Sequence, residues 1–133
     1  ADGREAGRAA TIALADAAVE PDEIDWVSAH ASSTPLGDIA EARAIRLALG
    51  ERAATAPVSG TKALYGHPLG ASGAIEAAIC ALAVRDGWVP ASANLVAPEP
   101  EALAVRDEHA RFLPEILEAC AALAGLVADV VVP

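Results

Sequence analysis

Short apolar runs that read as strands alternate here with alanine-rich runs that read as helices, and this alternation limits the fold more than any other feature. "REAGRAATIALADAAV" (4–19) reads as an amphipathic helix with Ile12, Ala15 and Val19 on one face, ended by Pro21 and Asp22. "IDWVSA" (Ile24–Ala29) reads as a short buried strand, with His30 where it ends. "ASSTPLG" is a polar turn, and Asp38 with Glu41 form a capping box for a helix over Ile39–Leu49, which Gly50 stops. "APVSGT" (Ala56–Thr61) is the next strand and delivers Lys62 to its C-terminal end. A turn over Gly66–Gly73 leads into "AIEAAICALAVRDG", where Ile75, Ile79, Leu82 and Ala83 keep a helical stripe and Gly87 caps it. "WVPASANL" reads as extended. This order predicts an α/β domain, helices layered on a largely parallel sheet. Open sheets of that kind build their sites at strand C-terminal ends, where His30 and Lys62 stand.

The remaining sequence is different in kind. After "EPEALAVRDEHARF" the chain turns apolar and reads as a helix followed by a short strand, "VADVVVP". The expected organisation is one unit over 1–97 and a divergent, first acidic and then helical tail over 98–133. A chain of 133 residues suits one core that buries roughly two thirds of the unfolded surface.

A net charge of -10 argues against non-specific nucleic-acid binding, and 3% aromatic residues leave little for base stacking. Although 54% of residues are hydrophobic, charges interrupt every apolar run before about 18 residues, so no membrane span is expected. The opening "ADGREAGRAA" lacks the apolar core of a signal peptide, and a cytoplasmic location is expected. Cys80 and Cys120 sit in apolar helical patterns and read as buried free thiols in a reducing compartment.

"SGTKALYGHPLGASGAIEA" (59–77) holds the single lysine of the chain, five residues before a histidine. Ser59 and Lys62 have the S-x-x-K spacing of serine acyl-enzymes, but that motif opens a helix and this context reads as strand and turn. "GHPLGASG" lacks the G-K-[ST] ending of a phosphate loop; Gly70 and Gly73 read as backbone clearance or positive φ. His30, His67 and His109 match no helical metal-binding pair, so no metal site is expected, and His109 reads as a solvated surface residue. Two readings of His30, Lys62 and His67 remain: unrelated polar residues in turns, or a cationic, hydrogen-bond-donating pocket suited to an oxyanion or enolate. Spacing does not choose between them.

"IDWVSAHASSTPLGDIAEARAI" followed by "VSGTKALYGHPLGASGAIEAAICAL" resembles the C-terminal half of a β-ketoacyl-acyl-carrier-protein synthase, a type II condensing enzyme of the thiolase superfamily. That family reads A-H-G-T-S-T-P-L-G-D in the first segment and T-K-[S/A]-x-x-G-H-x-x-G-A-[A/S]-G-A-x-E-A in the second. The resemblance runs from Ala1 to about Leu95, including "ASANL". It implies a thiolase-like layered half domain, a β-sheet with packed helices, here with an atypical tail.

On that resemblance His30 and His67 are the catalytic histidines that hold a malonyl thioester carbonyl and stabilise the enolate left by decarboxylation. Lys62 supports them and Glu76 pairs with Lys62. Ser32 and Thr34 match hydroxyls near the substrate's pantetheine arm, and Asp38 matches a helix-capping acid. No cofactor is implied beyond the phosphopantetheine-linked thioesters acted upon. The implied partners are acyl carrier protein, acyl and malonyl thioesters, the N-terminal half of the synthase, and a second copy in a homodimer. Arg43, Arg46 and Arg52 are candidate contacts for the acidic carrier, though a solvated helix face is the favoured account of them.

The chain departs from the pattern at three places. Ala31 and Ser32 replace the family's glycine and threonine after the histidine, so a positive φ would strain Ala31 while Ser32 keeps the hydroxyl. Neither Cys80 nor Cys120 lies on a strand-to-helix elbow suited to a nucleophilic thiolate. The tail has no G-F-G-G loop. The resemblance therefore implies an acyltransferase of fatty acid or polyketide synthesis whose nucleophile lies elsewhere, with the isolated chain inactive. The alternative is a non-catalytic thiolase-like partner or remnant. A thiolase proper ranks last because no C-x-G motif stands near the end.

Overall fold

A computed structural model describes residues 2–96. The described elements are α1 (Arg4–Ala17), β1 (Val27–Ser28), α2 (Pro35–Leu49), β2 (Val58–Ser59), α3 (Lys62–Tyr65) and α4 (Ser72–Asp86). Short 3-10 turns lie at Pro21–Glu23, Gly50–Ala54 and Leu69–Ala71. The boundary at 97, the tail with its expected helix and strand, His109 and Cys120 fall outside the described residues.

The two strands are parallel, with Val27 opposite Val58 and Ser28 opposite Ser59. They are far shorter than Ile24–Ala29 and Ala56–Thr61, and the reason is where the flanking backbone groups find partners. Val27 N–H donates to Pro57 O and Ala29 N–H to Ser59 O, both at 2.9 Å, which is the slanted parallel ladder. Upstream, the Arg52 guanidinium takes Ile24 O through Nε at 3.0 Å and Nη2 at 2.6 Å. Downstream, Gly60 N–H donates to Ser92 Oγ at 3.0 Å. The bonds from Arg52 and Ser92 hold the outer edges of the pair, whereas the ladder itself stops upstream because Pro57 has no N–H, and downstream because Ala31 N–H donates to Glu41 and Thr61 O accepts from Leu64 N–H.

Both faces of this strand pair are packed. Val27 joins Leu14, Ile24 and Ile45 around buried Leu49, Ala53 and Ala56. Trp26 points the other way, joining Tyr65, Ala71 and Trp88 around Ile75 and Ile79, as alternation along a strand requires. Trp26 Nε1 also donates to Ser59 Oγ at 2.9 Å, pinning the two strands through side chains. Among the described residues the protein is rich in helix around one small parallel sheet.

α4 buries Ile75, Ile79 and Ala83 on the expected stripe, with Leu82 half-buried beside them. α1 does not bury its expected face: Ile12 and Ala15 are exposed, whereas Gly7 is buried. A Cβ on Gly7 would lie 3.0 Å from Leu47 Cβ and 3.1 Å from Ala44 O, so glycine lets α1 pass close over α2. α1 ends at Ala18, in the left-handed region at φ 53, before Pro21 is reached; Glu20 and Glu23 then cap the Pro21–Glu23 turn reciprocally.

α2 starts earlier than Ile39. Thr34 is its N-cap, accepting from Gly37 N–H at 3.2 Å, and Pro35 follows in the first turn. Asp38 accepts from Thr34 N–H at 3.4 Å, which keeps its capping role, but Glu41 takes no part in the cap. Gly70 and Gly73 have neither positive φ nor a neighbour within 4 Å of a built Cβ; the positive φ values in that turn belong to Gly66 and Leu69. Cys80 is a free thiol, half-buried instead of buried.

Candidate active site

Because β1 and β2 are parallel, the segments leaving them emerge at the same end. His30 follows β1 directly, and β2 leads through Gly60 and Thr61 into α3, which Lys62 opens. Lys62 is therefore on a helical turn, not at the last position of a strand. Gly66 closes α3 by donating its N–H to Lys62 O at 2.7 Å, and His67 follows at once. The two histidine rings meet edge to face, with centroids 5.1 Å apart and planes at 79°.

Each histidine is held from behind. The Glu41 carboxylate accepts from His30 N–H at 2.5 Å and from Ala31 N–H at 2.8 Å, one oxygen to each. These are charge-assisted bonds to two successive amides, and they clamp the loop that carries His30. On His67, Nδ1 accepts from Leu69 N–H at 3.2 Å and lies 3.3 Å from Ser72 Oγ. A ring nitrogen that accepts from a backbone N–H bears no proton, so the neutral ring carries its proton on Nε2. Leu69 makes this bond from a left-handed conformation, φ 50, and Ala31 stands at φ 40 beside His30. The strain expected of an alanine at that position is present.

Lys62 forms an ion pair with Glu76 Oε1, with side chains only 5% and 16% exposed respectively. A lysine that deep needs its counter-charge, since a buried unpaired ammonium is costly. Glu76 sits within the opening turns of α4, whose Ile75 and Ile79 fix the helix against the sheet. Tyr65 OH lies 3.5 Å from the same Oε1 and 3.2 Å from Thr61 Oγ1.

Ser32 and Thr34 stand side by side, their hydroxyl oxygens 3.3 Å apart, and Thr34 Oγ1 is already engaged by the α2 cap. Sequence reasoning missed the parts played by Glu41 and Tyr65. Glu41 falls on the same helical stripe as buried Ala44 and Ala48, and an acid inside an apolar stripe is the signal that was there to find. Tyr65 is the single tyrosine of the chain and lies one helical turn after its single lysine.

Paired imidazoles at one end of a parallel strand pair, with a buried lysine–glutamate pair on the same connection, form an arrangement suited to binding a developing negative charge. Residues 1–96 match the family described as beta-ketoacyl synthase, C-terminal domain, and the chain belongs to that family. Over 100 residues it is 45% identical to 3-oxoacyl-acyl-carrier-protein synthase 2 of Synechocystis sp., covering 75% of this chain and 24% of that protein. The enzyme of the same description from Staphylococcus aureus strain COL is 42% identical over 100 residues, with the same coverage of 75% and 24%. The chain thus spans about a quarter of the length of the curated relatives it matches.

Proposed function

We propose that this chain supplies the malonyl-decarboxylating side of a 3-oxoacyl-acyl-carrier-protein synthase site, in fatty acid or polyketide synthesis. The observation that carries this reading is the edge contact of His30 and His67 at 5.1 Å, delivered from the connections after two parallel strands. In the proposed reaction the bond between the malonyl carboxylate and the α-carbon breaks and carbon dioxide leaves. Its electron pair passes into the thioester, giving an enolate whose oxygen carries the charge. His67 suits this step because its proton is held on Nε2 by the two contacts at Nδ1, so the ring donates instead of accepting. Lys62, held in place by Glu76, contributes an ammonium group on the segment that also carries His67. The enolate carbon would then attack an acyl thioester on a cysteine of the nucleophile-bearing part of the synthase, forming the new carbon–carbon bond as the cysteine thiolate leaves.

Ser32 and Thr34 are proposed to contact the pantetheine arm, and the acyl carrier protein and the nucleophile-bearing part of the synthase are the proposed partners. The test is carbon dioxide release from malonyl-loaded acyl carrier protein by this chain assembled with that nucleophile-bearing part. His30→Ala or His67→Ala should each lower the rate by about 100-fold, as loss of one oxyanion donor does. Unchanged release in both variants would leave the chain as a non-catalytic partner. Condensation by the isolated chain would show that a nucleophile lies within it.

A further inference from the structure

Tyr65 stands at an unspecified position of the second motif, yet its hydroxyl lies between two groups of the candidate site. It is 3.5 Å from Glu76 Oε1 and 3.2 Å from Thr61 Oγ1. The phenol has one proton, and a carboxylate oxygen can only accept, so Tyr65 donates to Glu76. Its oxygen then accepts from Thr61, whose side chain is fully buried. The polarity runs in one direction, from Thr61 through Tyr65 to Glu76 Oε1, the oxygen that the Lys62 ammonium also contacts. Thr61 is anchored directly after β2, and the Tyr65 ring packs against Ile75 and Ile79 of α4. Tyr65 therefore bridges the two elements that carry the two halves of the ion pair.

We infer that Tyr65 is a positioning residue for the proposed decarboxylation, fixing the Glu76 carboxylate, and through it Lys62, relative to the strand end that carries the site. This inference rests on the reading of the site proposed above. The pair by itself leaves Glu76 free to follow the flexible lysine; a second donor on the same oxygen, tied to a buried threonine, fixes where the carboxylate can sit. Tyr65 touches no reacting atom in this role, and its effect reaches the reaction only through Glu76 and Lys62.

The experiment is a set of variants in the assembled synthase, measured by carbon dioxide release from malonyl-loaded acyl carrier protein. Tyr65→Phe keeps the ring in its apolar cluster and removes only the hydroxyl. The expected result is a roughly 5-fold fall in kcat with KM within about 2-fold, because chemistry and not binding is affected. In a Glu76→Gln background the same substitution should add less than about 2-fold, since the neutral amide still accepts from Tyr65 but no longer forms the ion pair with Lys62 that Tyr65 fixes. Removing the phenol also leaves the Thr61 hydroxyl buried without a partner, so Thr61→Val with Tyr65→Phe is measured as well. If that double variant recovers the wild-type kcat, the loss came from the orphaned hydroxyl and the inference is overturned. An unchanged kcat in Tyr65→Phe, or a full 5-fold loss on top of Glu76→Gln, overturns it too. Lys62→Ala separates the two levels: a large loss there with none in Tyr65→Phe sinks the role of Tyr65 alone. No loss in Lys62→Ala sinks the reading of the site and this inference with it.

Discussion

The methyl group of Ala31 occupies the space that a side chain on Gly60 would need: a Cβ built on Gly60 would lie 2.4 Å from Ala31 Cβ. Gly60 leaves β2 and Ala31 follows His30, so this contact sets how closely the two site-bearing segments approach. Both residues are constrained, Ala31 by its φ of 40 and Gly60 by its neighbour. Gly60→Ala should therefore cost about 1–3 kcal/mol of stability, the range for overpacking a filled space. In an Ala31→Gly background most of that cost should disappear. Ala31→Gly alone removes a left-handed strain of about 1–2 kcal/mol but also frees the chain when unfolded, so the net gain should be below about 1 kcal/mol. Urea midpoints of the four proteins test the coupling, and additive effects would refute it.

Glu41 should matter more to activity than its place outside the histidine pair suggests. Its two oxygens hold the amides of His30 and Ala31, and hydrogen bonds to a charged group are worth about 1.5–3 kcal/mol each. Glu41→Ala is expected to lower malonyl decarboxylation by about 10-fold or more and to destabilise the protein by roughly 2 kcal/mol. Glu41→Gln keeps one good acceptor and should fall between. A Glu41→Ala protein with wild-type decarboxylation would show that the loop holds its shape unaided.

The limits of the sequence follow the chemistry of these same residues. The α4 stripe of Ile75, Ile79 and Ala83 was readable from isoleucines four residues apart, although apolar residues on its other faces leave the helix only weakly amphipathic. The α1 face was misread although that helix is strongly amphipathic, because its contact with α2 is made at Gly7, which carries no hydropathy signal. The placement of His30 and the Lys62–His67 segment at one end followed from strand order, and the strain at Ala31 from one departure in a motif. Strand length was only partly readable: Pro57, with no N–H to give, stops the ladder upstream, but downstream it stops because Glu41, 10 residues away, takes the Ala31 N–H. Glu41 was assigned to a cap because a sequence shows which acid is near a helix start, not which of several amides it reaches.

Ser72 should tune His67 without being essential. Its hydroxyl is buried and 3.3 Å from Nδ1, but Leu69 N–H also reaches that nitrogen. Ser72→Ala leaves the backbone donor in place, so the proton should stay on Nε2 and the decarboxylation rate should drop only about 3-fold. A loss approaching that of His67→Ala would mean that Ser72, not Leu69, sets the tautomer. Nitrogen chemical shifts of the His67 ring report the tautomer directly in both proteins.

The Lys62–Glu76 pair separates stability from activity. Removing Glu76 alone leaves an ammonium 5% exposed without its counter-charge, and breaking a buried pair this way costs about 3–5 kcal/mol. Replacing both members by apolar residues of similar volume avoids the uncompensated charge, and such swaps are often neutral or stabilising. Glu76→Leu should therefore lower the urea midpoint strongly, while Lys62→Met with Glu76→Leu should return it close to wild type. The double variant should nevertheless release carbon dioxide from malonyl-loaded carrier at least about 10-fold more slowly, because the Lys62 ammonium on the segment that carries His67 is gone. A double variant both stable and fully active would show that the pair serves only the fold. One that is unstable as well would show that Tyr65, and Thr61 through it, depends on the Glu76 carboxylate.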